Sequence, residues 1–198
     1  MHLLEEGYAI PDIDESMRRF GMPMGPFEVL DEVGIDVAHL AAGVMGKAFP
    51  DRMAPAPILD KLVEANRLGK KTGLGFYRHR GRRREVDPAL TSMLGLARQR
   101  TPQSLEALAE RMVLAMINES AHCLEDRVVG DAGMLDLAMV FGAGFPPFRG
   151  GPLRHADSLG PAKVEARLSA LRAERGERFR AAQRIVELAK SGGAFTDA

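Results

Sequence analysis

IDESMRRFGMPMGPFEVLDEVGID, residues 13–36, holds two short apolar-periodic segments around a turn dense in glycine and proline. Its core is Gly25-Pro26-Phe27, then three residues, Asp31, two residues and Gly34. Glycine supplies a positive φ or a close backbone approach, and proline pre-sets φ at a helix start. The same pattern recurs as Gly151-Pro152-Leu153, Asp157 and Gly160, position for position. Asp14, Met17 and Gly21 precede the first copy, and Asp136, Met139 and Gly142 the second. Between the leading aspartate and Gly-Pro the second copy is four residues longer, through Phe145-Pro146-Pro147-Phe148. A recurring unit of this length predicts a helical duplication with the two apolar faces buried on each other.

Working outward, the rest also reads as helices broken by Gly and Pro. Asp12 with Glu15 suits an N-cap and capping box. Residues 36–47 suit a helix, and Pro57 opens another carrying Ile58, Leu59, Leu62 and Val63. Residues 81–100 read as a connector with one short helix near 88–98. Thr101-Pro102 starts the longest helix, striped by Leu105, Leu108, Met112, Ala115 and Met116. Residues 161–175 and 176–190 give two more, the second striped by Phe179, Ala182, Val186 and Ala189. Strand alternation is absent, so the expected class is all-α: two tandem helical repeats packed with approximate two-fold symmetry. Their bounds are 1–80 and 101–190, with a tail at 191–198 that frays.

Composition is that of a globular chain of 198 residues, with Lys+Arg 27 against Asp+Glu 27. A balanced charge gives no bulk attraction to nucleic acid or to an anionic membrane. The basic run Arg78–Arg84 is a phosphate-reading patch or, more commonly, a solvated loop. No apolar run is long enough for a membrane span, and no signal-peptide pattern opens the chain. The single Cys123 excludes an internal disulfide and suits a buried thiol in a reducing cytoplasm.

Chemistry-bearing motifs are few. His2, His39, His79, His122 and His155 form no close-spaced ligand set, so no metal is expected. Gly69-Lys70-Lys71-Thr72-Gly73-Leu74-Gly75 lacks the spacing of a phosphate loop, and Gly142-x-Gly144 follows no strand. Asp31 and Asp157 are open to two roles, catalytic carboxylate or acceptor of backbone N–H groups. Their matching places favour the second.

Residues 13–36, together with GKKTGLGFY at 69–77 and residues 118–160, resemble the C-terminal domain of the 3-hydroxyacyl-CoA dehydrogenase family. The second copy, with Gly144-Phe145-Pro146-Pro147-Phe148, resembles the multifunctional large subunits of fatty-acid oxidation. The resemblance implies a 6-phosphogluconate dehydrogenase C-terminal-like fold. It also implies oxidation of an L-3-hydroxyacyl-CoA with NAD, in β-oxidation. The family's His/Glu pair lies on a nucleotide-binding domain outside these residues. Its active-site Asn precedes the segment matching Glu6-Gly7, and Asn118 is not that residue. The implied catalytic set is therefore empty, and the chain alone is expected to be inactive. Lys71 matches a lysine that reaches the cofactor, with a plain solvated charge as the alternative. Phe141 matches a substrate-contacting position, with a core residue as the alternative. Implied partners are an acyl-CoA, the nucleotide-binding domain and a second copy of the chain. A helical interaction module without the enzyme is the rival reading.

Overall fold

In a computed structural model of the chain, residues 1–81, 83–96 and 100–196 are described. They form two compact units, Met1–Arg19 with Pro23–Leu108, and Phe20–Met22 with Ala109–Ala198. Among the described residues no helix is long and apolar enough to cross a membrane.

The first unit is built from α1 (His2–Glu5), α2 (Ile10–Phe20), α3 (Pro26–Val33), α4 (Ile35–Ala48), α5 (Ile58–Glu64) and α6 (Pro88–Leu94). Its core gathers Ile13, Phe27, Ile35, Leu62, Phe76 and Leu90, all essentially inaccessible. The Phe27 and Phe76 rings lie 4.5 Å apart between centroids. Pro26 opens α3 after an extended Gly25, and the Glu28 carboxylate turns back to accept the Gly25 N–H at 3.0 Å. That contact satisfies one donor at the helix start, the N–H of Gly25.

Two expectations fail here. Helix α2 starts at Ile10, so Asp12 lies inside its first turn and Glu15 pairs with Arg18 and Arg19 instead of capping. The end of the first repeat and the start of the connector form an antiparallel hairpin, β1 (Tyr77–Arg80) with β2 (Arg83–Val86), Tyr77 opposite Val86 and Arg80 opposite Arg83. Every β2 residue is exposed, so an arginine-rich ladder with no apolar alternation carries the pairing. The basic run is thus mostly strand, with internal partners. Arg78 binds Asp87 at 3.1 Å and Arg84 binds Glu28 at 2.6 Å. Arg82 lies outside the described residues.

The second unit comprises most of α7 (Leu105–Glu125), then α8 (Ala132–Ala143), α9 (Pro152–Leu159), α10 (Pro161–Arg175) and α11 (Gln183–Ser191). The buried line of α7 is Leu108, Val113, Leu114, Ile117 and Ala121; Met112 and Met116 are half-buried and Ala115 exposed. The stripe read from the sequence is thus out of phase, because α7 buries a different arc. Cys123 is half-buried, not enclosed. The helix expected over 176–190 is broken at 180–182. There the Asn118 amide donates to the Arg180 carbonyl and accepts from Ala182 N–H, each at 2.9 Å. Beyond the break the buried positions are Ile185 and Leu188 rather than Val186 and Ala189. The tail does not fray as far as residue 196, since Phe195 is buried.

Candidate functional site

Each unit carries the same two aspartate fixtures. In the first, Asp14 of α2 accepts the Phe27 N–H at 2.8 Å and the Tyr77 hydroxyl at 2.7 Å. In the second, Asp136 of α8 accepts the N–H groups of Leu153 and Arg154 at 2.8 and 2.9 Å. Burial raises both carboxyl pKa values above the ordinary 3.8, against the pull of these donors. Burial, then the neighbouring Asp14 charge, pushes the Tyr77 hydroxyl up.

The second fixture ends each repeat. Asp31 accepts Phe76 N–H at 2.8 Å, Tyr77 N–H at 2.9 Å and a contact from His79 Nε2 at 2.8 Å. Asp157 accepts Phe195 N–H at 2.8 Å, Thr196 N–H at 3.1 Å and the Thr196 hydroxyl at 2.8 Å. Both aspartates therefore hold a returning Phe-x segment by its backbone. Donors fill each carboxylate, leaving it a fastener rather than a base. The duplication runs further than the Gly-Pro pattern showed: Gly75-Phe76-Tyr77 has a counterpart in Ala194-Phe195-Thr196.

Lys71 lies in the first unit, on a 3-10 turn over Lys70–Thr72. Gly69 fixes that turn, because any side chain there would strike the Asp31 backbone. Arg67 braces it, donating to the Gly75 carbonyl at 2.7 and 3.0 Å and pairing with Asp87 at 2.7 Å. The Lys71 ammonium meets the Asp36 carboxylate at the start of α4 and holds that carboxyl below its usual range. Lys70 is bound by both oxygens of Glu32 at 2.8 Å. Both lysines are about half exposed. Phe141 lies in the second unit, on the outer side of α8, 85% exposed. It is no core residue; with Met134 and Leu137 it forms an open apolar stripe. Sequence reading passed over the fastening roles of Asp14 and Asp136, although both stood at matched places in the duplication. Tyr77 and Arg67 had no such signal.

His155 of α9 sits edge-on to Phe20 at 5.4 Å, near Phe145 at 6.3 Å. Burial, then the Arg149 charge, lowers its pKa from 6.5. The folded state thus binds fewer protons than the unfolded state just below that value. Its contribution to stability is present above pH 6.5 and is lost as pH falls through the depressed folded value. Melting temperature should fall from pH 7 to pH 5, and His155→Gln should flatten that slope. An unchanged slope would remove His155 from the cause.

Residues 1–79 match the family model described as 3-hydroxyacyl-CoA dehydrogenase, C-terminal domain. Those residues are similar to that domain, and the likeness of folds goes beyond them. The crystal structure of 3-hydroxybutyryl-CoA dehydrogenase from Escherichia coli K12 is 25% identical, covers 96% of this chain and superposes with a TM-score of 0.75. The dehydrogenase part of multifunctional enzyme 1 from C. elegans shares the fold over 91% of the chain, at 20% identity and a TM-score of 0.64. The chain spans 57% of the first of these structures and 42% of the second.

Proposed function

We propose that the chain is the helical, substrate-side part of an NAD-dependent L-3-hydroxyacyl-CoA dehydrogenase of cytoplasmic fatty-acid β-oxidation, inactive when alone. The observation that carries this reading is the family match over residues 1–79, with the Lys70–Thr72 turn inside it. NAD, when bound, takes the hydride from the hydroxyl-bearing carbon. This chain's own contribution is to bind and orient. The half-exposed Lys71 ammonium, on a turn braced by Gly69 and Arg67, suits a cofactor phosphate. Engaging it means exchanging the Asp36 carboxylate for that phosphate. The open Phe141 ring offers apolar surface to an acyl-CoA, and having no hydroxyl it makes no hydrogen bond to the thioester.

The test is NADH formation from 3-hydroxybutyryl-CoA. The 198-residue chain should give none. A protein in which a family nucleotide-binding domain, together with the Asn-bearing segment that leads into the first repeat, precedes it should turn over. In that protein Lys71→Ala should raise KM for NAD by about ten- to a hundredfold, with a smaller change in kcat. Lys70→Ala, whose ammonium stays on Glu32, should change little. No turnover in the joined protein contradicts the reading, and equal effects of the two lysines remove Lys71 from it.

A further inference from the structure

The segment around Lys71 carries two ion pairs of opposite kind. Arg67 and Asp87 are almost fully buried, with side chains 8% and 3% exposed, and Arg67 also donates twice to the Gly75 carbonyl. That pair is a fixed brace, because breaking it strands a buried charge. Lys71 and Asp36 are 46% and 40% exposed. Each can return to water at little cost, so their pair is exchangeable and contributes little to stability. Gly34 keeps room for it. An added Cβ there would come within 2.9 Å of the Asp36 carboxylate and 3.1 Å of the Lys71 ammonium. The second repeat shows that the fold does not require the acid. Counting back from Phe76 and Phe195, Lys190 stands at the place of Lys71. Counting on from Gly34 and Gly160, Ala162 stands at the place of Asp36, and helix α10 forms without a carboxylate there.

Given the reading of Lys71 as the lysine that meets the cofactor, on which this rests, we infer that Asp36 is an internal competitor for its ammonium. The carboxylate holds the lysine until a cofactor phosphate displaces it, and so sets cofactor affinity below what a free Lys71 would give. An ammonium in direct contact with a carboxylate has to leave it, or divide its donors, to bind a phosphate. The free energy of the old pair is subtracted from that of the new contact. Asp36 stays charged at neutral pH, because Lys71, then the Val37 N–H, hold its carboxyl below the usual range. Competition is therefore present wherever the enzyme works near neutrality.

The test uses the chain joined to the nucleotide-binding domain and the Asn-bearing segment. Dissociation constants for NAD, measured by calorimetry, read binding without turnover. Asp36→Asn should tighten NAD about two- to fivefold, and less at about 1 M salt, where exposed charges are screened. Asp36→Ser, which keeps an acceptor at the start of α4, should do the same. Glu32→Gln, which frees Lys70 instead, should change nothing. In a Lys71→Ala background, which itself weakens NAD, the gain from Asp36→Asn should vanish. The exchange also has a direct signature. The Asp36 carboxyl, followed by carbon-13 NMR, should titrate nearer 3.8 in the NAD-saturated protein than in the free one. Unchanged or weaker binding in both Asp36 variants, with Lys71→Ala still weakening NAD, overturns the competition and leaves the role of Lys71 standing. Lys71→Ala without effect on NAD overturns both.

Discussion

Asp31→Ala should destabilise the first unit by about 3–5 kcal/mol, enough to unfold it in a marginal background. The carboxylate is essentially inaccessible and takes donors from Phe76, Tyr77 and His79. Removing it strands two backbone N–H groups, that of Phe76 in the core. A buried donor without an acceptor costs about 1–3 kcal/mol, and lost bonds to a charged group cost more than neutral ones. The matched change Asp157→Ala removes the same number of acceptor contacts from Phe195 and Thr196. There the aspartate is half-buried and Thr196 exposed, so water replaces part of what is lost. An effect of about 1–2 kcal/mol is expected. Urea unfolding of the two variants checks both. Equal effects would mean that burial does not set the difference; no effect at Asp31 would deny it the fastening role.

Gly25→Ala and Gly151→Ala should each cost about 3 kcal/mol or more. At both, an added Cβ would overlap the aspartate of the preceding helix, Asp14 or Asp136. At Gly25 the overlap includes the Asp14 Cα, which no rotamer change relieves. Gly25 has an ordinary φ of −73°, so its cost is purely steric. Gly151 has φ 111°, and adds the strain of a positive φ. Gly142→Ala is the contrast. It lies inside α8 with open space around it, and the substitution should stabilise by about 0.5–1 kcal/mol. Thermal unfolding of the three variants gives the ranking, and a tolerated Gly25→Ala would show that Asp14 and α3 do not meet closely.

Much of this was legible in the sequence because glycine and proline leave few alternatives. Gly-Pro before a helix, and an aspartate repeated at the same offset, mark the two turns and the structural use of Asp31 and Asp157. The hairpin was hidden because its strands are Arg-rich and β2 is wholly exposed, so no period-two apolar signal exists. The α7 stripe was read out of phase because its line of Leu and Met overlaps the arc that is buried. The break at 180–182 depends on the distant Asn118, which no local pattern around Arg180 announces. The anchored tail was legible in principle: Gly192-Gly193-Ala194-Phe195 echoes Gly73-Leu74-Gly75-Phe76, but with Ala189 in the place of Lys70 and Thr196 in the place of Tyr77. The site was less legible than the fold. The resemblance implies a role for Lys71, and only the structure shows Asp36 holding the ammonium.

Native-state hydrogen exchange, read amide by amide, tests the duplicated fastening most directly. The amides of Phe76 and Tyr77, and those of Phe195 and Thr196, should be protected in the parent chain. Asp31→Asn should release only the first pair, and Asp157→Asn only the second. Fast exchange at all four amides in the parent chain, or release of either pair by the wrong aspartate, would contradict one helical unit built twice.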